Sequence, residues 1–333
     1  MKKLITLVLV LSSLIYSGCF FQPKNHEDTR FMMDTIVTIT TTGQDEQKLK
    51  DATDQAFTLF QTIANQTDTY QAQGPEDLYA INEAAGKGPH KASPYLMDIL
   101  KQITPLNNPS LDVTLGPVIR VWNTHREAKT VPAQKEIKEA LAKCGLKKYT
   151  LSTTEGTVTL APDAQLDLGA VAKGYAVEQA AQLLARDKAV KTALVNAGGN
   201  IKVIGTKADG KPWRIGVQDP RNQEKLLGTL SVKDGTAIAT SGDYQRYYEV
   251  DGVRYHHVLD PATGWPVTHA RSVTVITGSA FWADYYSTLL FVLPWKKAME
   301  LVEQNDQLEM VYVDEGGTLH VSSGLKDTFT PEK

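Results

Sequence analysis

Apolar residues recur along this chain at two different periods. Spacing of three and four residues predicts helices over 44–65, 94–103, 132–144, 279–293 and 295–304, and a strand end running into a long helix within 166–187. Strand-like runs bounded by turn residues mark 31–40, 149–162, 192–205, 213–221, 227–232, 236–240 and 308–321. Because strands and helices do not alternate regularly, the order favours an α+β fold.

A further hairpin is predicted within 247–255. Asp251 and Gly252 separate two strand-like runs, and this dipeptide is the one that a type I′ turn prefers. The second run leads into His256 and His257, whose side chains alternate faces in an extended chain, so at most one of them points into a site. Taken alone, the two histidines are better explained by core or surface positions than by catalysis.

Length and charge limit the classes of protein to consider. A chain of 333 residues with 42% hydrophobic content can bury one large core or two modest ones. We find no repeat or linker inside the body, so we predict one compact unit with two lobes. The formal net charge of -3, without a basic run, provides no electrostatic footprint for nucleic acid.

The N-terminus resembles a lipoprotein signal peptide. Lys2 and Lys3 precede an apolar stretch over 4–15, which is shorter than the ~20 residues that a membrane-spanning helix needs. The small residues Ser17 and Gly18 then stand directly before Cys19, as in a lipobox. An ordinary cleaved signal is the alternative.

These features divide the chain into three parts. We predict a signal peptide over 1–18, a lipid-anchored tether over 19–30 that begins at a lipidated Cys19, and a folded domain over 31–330. Cys144 is then the one cysteine of the mature body, which excludes an internal disulfide, and we interpret it as a small buried residue.

Two segments carry candidate chemistry with alternatives open. Gly169 and Gly174 precede a helix, whose N-terminus suits a phosphate, although tight packing explains the glycines equally well. Asp284 lies in an apolar helix and requires a partner if buried. Thr288 is one turn away, so the two form either a hard-oxygen pair suited to Mg²⁺ or a structural hydrogen bond.

Taken together, the segments resemble the successive motifs of the ApbE family of flavin transferases, the FAD:protein FMN transferases. The resemblance covers residues 30–295 or so and rests on eight ordered stretches: "MMDT", "LDVTLGPVIRVW", "LDLGAVAKGYAVEQAAQLL", "LVNAGGNIKVIG", "WRIGVQDPR", "ATSGDYQRYYEVDGVRYHHVLDPATGWPV", "SVTVI" and "ADYYSTLLFVL". It implies an ApbE-type, T-fold-like arrangement of mixed sheets packed with helices.

The resemblance also implies roles for individual residues of the body. The FAD-binding positions are Met33, Tyr70, Leu111, Asp112, Val113, Asp167, Lys173 and Leu259; the Mg²⁺ ligands are Asp284, Thr288 and the carbonyl of Ala170; the catalytic candidate near the phosphates is His257. Two stretches depart from the family pattern, 74–82 and Tyr285–Ser287, so we expect the shape of the cleft to differ there while the spacing of Asp284 and Thr288 is kept.

The implied activity is Mg²⁺-dependent transfer of FMN from FAD to a Ser or Thr hydroxyl of a membrane redox subunit that carries a flavinylation motif, with release of AMP. The alternatives are a FAD pyrophosphatase that yields FMN and AMP, and a FAD-binding lipoprotein without turnover. His257 or a nearby carboxylate serves as the base. The anchor implies the extracytoplasmic face of the cell membrane, or the periplasmic side in an envelope of two membranes.

Overall fold

The computed structural model describes residues 23–207 and 209–332, which form sixteen strands and eight α-helices. The predicted signal peptide and Cys19 lie outside the described residues. The strands are β1 (Lys24–Met32), β2 (Thr35–Gly43), β3 (His90–Lys91), β4 (Tyr149–Ser152), β5 (Thr157–Leu160), β6 (Val190–Ala197), β7 (Asn200–Ile204), β8 (Trp213–Gln218), β9 (Leu226–Val232), β10 (Ala237–Gly242), β11 (Tyr247–Val250), β12 (Val253–His256), β13 (Ala270–Thr277), β14 (Glu309–Asp314), β15 (Leu319–Val321) and β16 (Phe329–Pro331). The helices are α1 (Glu46–Gln66), α2 (Leu78–Glu83), α3 (Pro94–Ile103), α4 (Gly116–Ala128), α5 (Gln134–Leu141), α6 (Ala172–Arg186), α7 (Ala280–Val292) and α8 (Trp295–Glu303).

An eight-stranded sheet organises the molecule, in the order β1-β2-β6-β7-β10-β13-β14-β15. Every neighbouring pair in it is antiparallel. This arrangement confirms the α+β prediction, because the helices occur between antiparallel strands rather than as crossovers of parallel ones.

The sheet buries both of its faces, and alternate residues divide between them. Val195 and Val275 belong to the main core, to which α1, α6 and α7 contribute. Ile238 and Ile276, each adjacent to a residue of that core, belong instead to a second core shared with β8, β9 and β16. The period of two along the strands therefore produces layers: helices, the large sheet, and a small sheet.

A third apolar cluster forms a smaller lobe from α4, α5 and the β11–β12 hairpin. Trp122 of α4 is stacked on Tyr255 and meets Trp265 edge to face, with ring centroids 5.6 and 5.2 Å apart. Its indole N–H donates to the carbonyl of Gly264 at 2.7 Å. The hairpin and the loop that follows it are thus fixed to α4.

Most of the predicted elements are present with boundaries shifted by a few residues. The type I′ turn is confirmed, because Asp251 and Gly252 have φ of 51° and 76°. Helices α2 and α4 were not predicted. The predicted tether is also too long at its C-terminal end, since residues 24–30 pair with β2 as part of β1.

Candidate active site

One cavity of about 1140 Å³ lies between the helical layer and the smaller lobe, which exceeds the ~300–1,000 Å³ of most small-molecule sites. Each of the twelve candidate residues that the structure describes lines it: Met33, Tyr70, Leu111, Asp112, Val113, Asp167, Ala170, Lys173, His257, Leu259, Asp284 and Thr288. Hereafter we call this cavity the cleft. It brings together residues that lie more than 250 positions apart in sequence.

The turn between β1 and β2 contributes Met33 to one wall. Met33 and its neighbour Asp34 have φ of 49° and 57°, a left-handed conformation that non-glycine residues seldom adopt. Strand pairing of Met32 with Thr35 closes the turn around them. The strained turn directs both side chains to the cleft, and such strain is common at functional sites.

Two loops joined by backbone hydrogen bonding form the wall that contains Leu111, Asp112 and Val113. The N–H of Asp167 donates to the carbonyl of Val113 at 2.8 Å. The carboxylate of Asp112 accepts from the backbone N–H and the hydroxyl of Thr114, at 2.8 and 2.6 Å. Because this side chain is engaged in its own turn, the wall presents mainly backbone to the cleft.

Asp167 holds its carboxylate beside the start of α6. One of its oxygens accepts from the N–H of Gly169 at 2.8 Å. Burial raises the pKa of Asp167, while this hydrogen bond and nearby cations, including Arg246, oppose the rise. The Asp167 carboxylate thus lines the cleft, partly buried and close to cations.

Tyr70 is half exposed at the cleft and is oriented from α4. Its hydroxyl accepts from the side-chain amide of Asn123 at 2.9 Å. Partial burial and the charge of Asp167 raise the pKa of Tyr70 to about 12, so it stays protonated. The ring is thus available as a flat apolar surface with a fixed hydroxyl.

Asp284 is buried where α7 crosses the start of α6. Its carboxylate accepts from the backbone N–H of Gly174 at 2.7 Å. If α6 began one turn earlier, the N–H of Gly174 would donate to the carbonyl of Ala170. As it is, this carbonyl accepts no hydrogen bond within the described part of the chain. Asp284 therefore leaves the oxygen of Ala170 free for a ligand.

Thr288 is held by a chain of hydroxyls whose direction can be deduced. Ser287 donates its single proton to the carbonyl of Asp284 at 2.9 Å, so the 2.9 Å contact between Ser241 and Ser287 uses the proton of Ser241. The 3.3 Å contact between Ser241 and Thr288 then uses the proton of Thr288. The lone pairs of Thr288 consequently remain free.

These three groups form an all-oxygen set that suits Mg²⁺: a carboxylate, a hydroxyl with free lone pairs, and a carbonyl without a donor. In the residues that the structure describes, no cluster of three or more His, Cys, Asp or Glu side chains forms a conventional metal site. The alternative of a direct hydrogen bond between Asp284 and Thr288 is not the arrangement seen, because each bonds other groups. These three oxygen ligands suit a hard cation.

Lys173 supplies a cation next to this oxygen set. Burial lowers the pKa of Lys173 and raises that of Asp284, and each charge partly offsets the shift of the other. The Lys173 ammonium also donates to the carbonyl of Gly169 at 3.3 Å. A cation beside hard oxygen ligands is suited to a polyanionic group such as a pyrophosphate.

The two histidines at the end of the hairpin face opposite ways, as their alternation predicted. His256 is buried and bonds the carbonyl of Val267 at 2.6 Å. His257 faces the cleft, and its Nδ1 lies 3.2 Å from the carbonyl of Arg246. Since a carbonyl accepts only from a protonated nitrogen, the bond places the proton of neutral His257 on Nδ1 and leaves Nε2 with a free lone pair.

His257 is also held neutral. Partial removal of the ring from bulk water, where it lines the cleft, lowers the pKa of His257 well below the usual range, with Arg246, His256 and Lys173 adding to the effect. A neutral imidazole with a free nitrogen can accept a proton. The loop that follows is braced by the Asp260 side chain, which accepts from the N–H of Ala262 at 2.9 Å, and presents Leu259 to the cleft.

Sequence reasoning missed several residues of the cleft. Arg120 and Asn123 lie on the unpredicted helix α4, and the Nε and Nη2 atoms of Arg120 have no hydrogen-bond partner among the described residues. Arg246 lies within the motif that contains the hairpin, but no signal in that motif singles it out. The signal for α4 was available, since Pro117 occupies its first turn and Val118 and Trp122 are one turn apart.

Comparison with known proteins accounts for the arrangement. The model of the ApbE family matches residues 33–312. The chain belongs to the ApbE family. It is 31% identical over 283 residues to the FAD:protein FMN transferase of Klebsiella pneumoniae (strain 342), an alignment that covers 83% of this chain and 87% of that protein.

Solved structures agree with this assignment to the ApbE family. The chain is similar to the ApbE protein of Thermotoga maritima, with a TM-score of 0.84, 32% identity, and coverage of 91% of this chain and 98% of that one. It is also similar to the flavin transferase ApbE of Vibrio cholerae, with a TM-score of 0.78, 28% identity, and coverage of 92% and 100%. All twelve cleft candidates of this ApbE family member fall inside the matched range.

Proposed function

We propose that this protein transfers FMN from FAD to a Ser or Thr hydroxyl of a membrane redox subunit, with Mg²⁺, and releases AMP. The observation that carries the proposal is the convergence in one cleft of a hard-oxygen set, a cation and a neutral histidine with a free nitrogen. Relatives that carry the name FAD:protein FMN transferase support the same reaction.

FAD would lie extended along the cleft. Met33, Tyr70 and Leu259 offer apolar surface for its rings, and the backbone of Leu111–Val113 offers hydrogen-bonding groups. Lys173 would bind the pyrophosphate, because it is the cation next to the oxygen set.

Asp284, Thr288 and the carbonyl of Ala170 would hold the Mg²⁺. Bound there, the ion would supply neutralisation of the pyrophosphate charge and of the charge that develops on AMP. The residues of the chain keep these oxygens in place through the Gly174 N–H and the hydroxyl of Ser241.

In the transfer step, the oxygen of the acceptor hydroxyl bonds to the flavin-side phosphorus. The bond from that phosphorus to the oxygen shared with AMP breaks, and AMP leaves with the electron pair. Nε2 of His257 takes the hydroxyl proton, since its lowered pKa keeps the imidazole neutral. Water competes for the phosphorus, so transfer requires that the acceptor hydroxyl be held in line.

The site of action that we propose is the extracytoplasmic face of the cell membrane, through a lipid on Cys19. The Lys-Lys start, the short apolar run and Gly18 before Cys19 support it. No helix among the described residues is long and apolar enough to cross a membrane.

The test is a transfer assay with FAD, Mg²⁺ and a redox-subunit domain that carries the acceptor motif. We expect covalently bound FMN to exceed free FMN, with AMP released in proportion. His257→Ala should slow transfer about 100-fold, within the ~10²–10⁴ typical of general bases, with FAD affinity nearly unchanged. His90→Ala is the matched control, because His90 also bonds one backbone carbonyl but lies outside the cleft.

Each failure has a distinct meaning. Free FMN as the main product with several acceptors would favour the pyrophosphatase. Absence of AMP with bound FAD would favour a flavin-binding lipoprotein. Normal transfer by His257→Ala would assign the proton to another group.

A further inference from the structure

Behind the cleft, α6 and α7 are joined by two carboxylates that act in opposite directions. Asp284 of α7 accepts from the backbone N–H of Gly174 in the first turn of α6, at 2.7 Å. Glu178 of α6 accepts from the backbone N–H of Ala280 in the first turn of α7, at 2.6 Å. In each helix the donor and the carboxylate are four residues apart, so they lie on the same face. Hereafter we call these four residues the clasp.

The clasp fixes the position of α7 along α6. Two backbone-to-carboxylate bonds at different heights prevent both sliding and rotation of one helix against the other. Asp284 belongs to the clasp and is also the proposed carboxylate ligand of Mg²⁺. Any displacement of Glu178 from Ala280 would therefore move Asp284 as well.

Strand β7 supports the clasp from below. Asn200 and Lys202 are two positions apart, so both face the two helices, and both are buried. The Lys202 ammonium lies 3.6 Å from the Glu178 carboxylate and donates to the carbonyl of Gly278, two residues before α7. Asn200 lies beside Asp284 at the cleft. Side chains on one face of β7 thus lie next to both carboxylates, Glu178 and Asp284.

Stability alone explains the ion pair poorly. The side chains of Lys202 and Glu178 are 11% and 14% exposed, and a buried ion pair often stabilises a protein no more than apolar residues would. The pair instead fixes the position of the Glu178 carboxylate. Lys202 holds this carboxylate against β7, where it accepts from the first turn of α7.

We propose that Glu178 and Lys202 are positioning residues for Mg²⁺ binding, which hold Asp284 in place through the start of α7. This inference rests on the proposed function. Outer partners of metal ligands commonly contribute 10–100-fold to affinity, and we expect an effect of about that size here.

The experiment measures binding of Mn²⁺, as a probe for Mg²⁺, by electron paramagnetic resonance, with FAD present and against a blank of FAD alone. The variants are Glu178→Ala, Lys202→Met and the pair Glu178→Gln with Lys202→Met, which leaves no uncompensated charge and keeps an oxygen to cap α7. We expect about 10–100-fold weaker Mn²⁺ binding in the single variants. Asp284→Ala marks the complete loss of the site.

The matched control is Glu139→Gln, which removes an exposed pair with Lys135 on α5, outside the cleft. Glu178→Gln alone should bind Mn²⁺ better than Glu178→Ala, because its amide oxygen still accepts from Ala280. Far-ultraviolet circular dichroism and thermal unfolding establish which variants are folded at the assay temperature.

Wild-type affinity in folded Glu178→Ala and in the double variant, with loss in Asp284→Ala, would overturn the positioning role and leave the proposed function intact. Unchanged binding in Asp284→Ala would overturn both the metal assignment and this inference. If the variants lose only thermal stability and keep their Mn²⁺ affinity, the pair is structural and the inference is wrong.

Discussion

At the scale of single residues, the free oxygen ligands of the cleft depend on which groups donate hydrogen bonds to which acceptors. Gly174 gives its N–H to Asp284, and Thr288 gives its proton to Ser241, so the oxygens of Ala170 and Thr288 stay open. The motif resemblance pointed to these positions, but only the structure shows how they are prepared. The deciding contacts join residues distant in sequence, which no local pattern predicts.

Gly174→Ala should disrupt this preparation. A Cβ at this position would come within 2.4 Å of the carbonyl oxygen of Ala280 and of Cβ of Asp284. Alanine favours helices over glycine by about 1 kcal/mol, yet overpacking costs ~1–3 kcal/mol, so we expect net destabilisation and displacement of Asp284.

Denaturant unfolding and Mn²⁺ binding measure the two effects of Gly174→Ala. Gly74→Ala is the control, because nothing lies within 4 Å of its added Cβ. A Gly174→Ala protein as stable as wild type, with unchanged metal affinity, would show that the two helices can separate without consequence.

At the scale of elements, the sequence predicted those with strong periodicity and missed those without it. Helix α3 was predicted with its observed bounds, since five of its ten residues are buried on one side. For most of β1 the sequence predicts a tether, because its residues up to Arg30 are polar. It is an edge strand whose polar side chains pair with β2, as Glu27 does with Thr40 at 2.9 Å, so apolar alternation was not needed.

The β11–β12 hairpin carries a pH dependence through His256. Its Nε2 bonds the carbonyl of Val267, and its Nδ1 accepts from the N–H of Val258 at 3.2 Å, so both nitrogens are engaged in the neutral form. Burial lowers the pKa of His256. The unfolded chain therefore binds the proton more readily, and the free energy of unfolding should fall as pH drops below about 6.5.

The measurement is urea unfolding between pH 7.5 and 5 in a His257→Ala background, because the lowered pKa of His257 acts in the same range. Adding His256→Gln should flatten the profile and lower stability at pH 7.5. An equally steep profile in the double variant would assign the pH dependence to other groups.

At the scale of the whole molecule, the cleft forms where the two lobes meet. Its candidate residues extend from Met33 to Thr288, and they converge because the sheet places β2, β6, β7 and β10 side by side under α6 and α7. Period and spacing predicted the class of fold and many of its elements. They did not predict this convergence, because pairing between strands distant in sequence produces no local sequence pattern. Only the motif resemblance grouped these residues as one site.

The N-terminus yields the last prediction, that Cys19→Ser releases the mature protein from membranes while its flavin chemistry with a soluble acceptor domain is retained. Strand β1 begins at Lys24, five residues after Cys19, and five residues span at most about 18 Å. The lipid would therefore hold the start of β1 near the bilayer, and the cleft, at the other end of this nine-residue strand, would lie about 30 Å farther along it, within reach of a membrane redox subunit. Detachment should lower flavinylation of that subunit in cells, because the two proteins no longer share a surface. Membrane fractionation, in-gel flavin fluorescence and mass spectrometry of the mature N-terminus measure these effects, and a mature chain that starts elsewhere without a lipid would exclude the anchor.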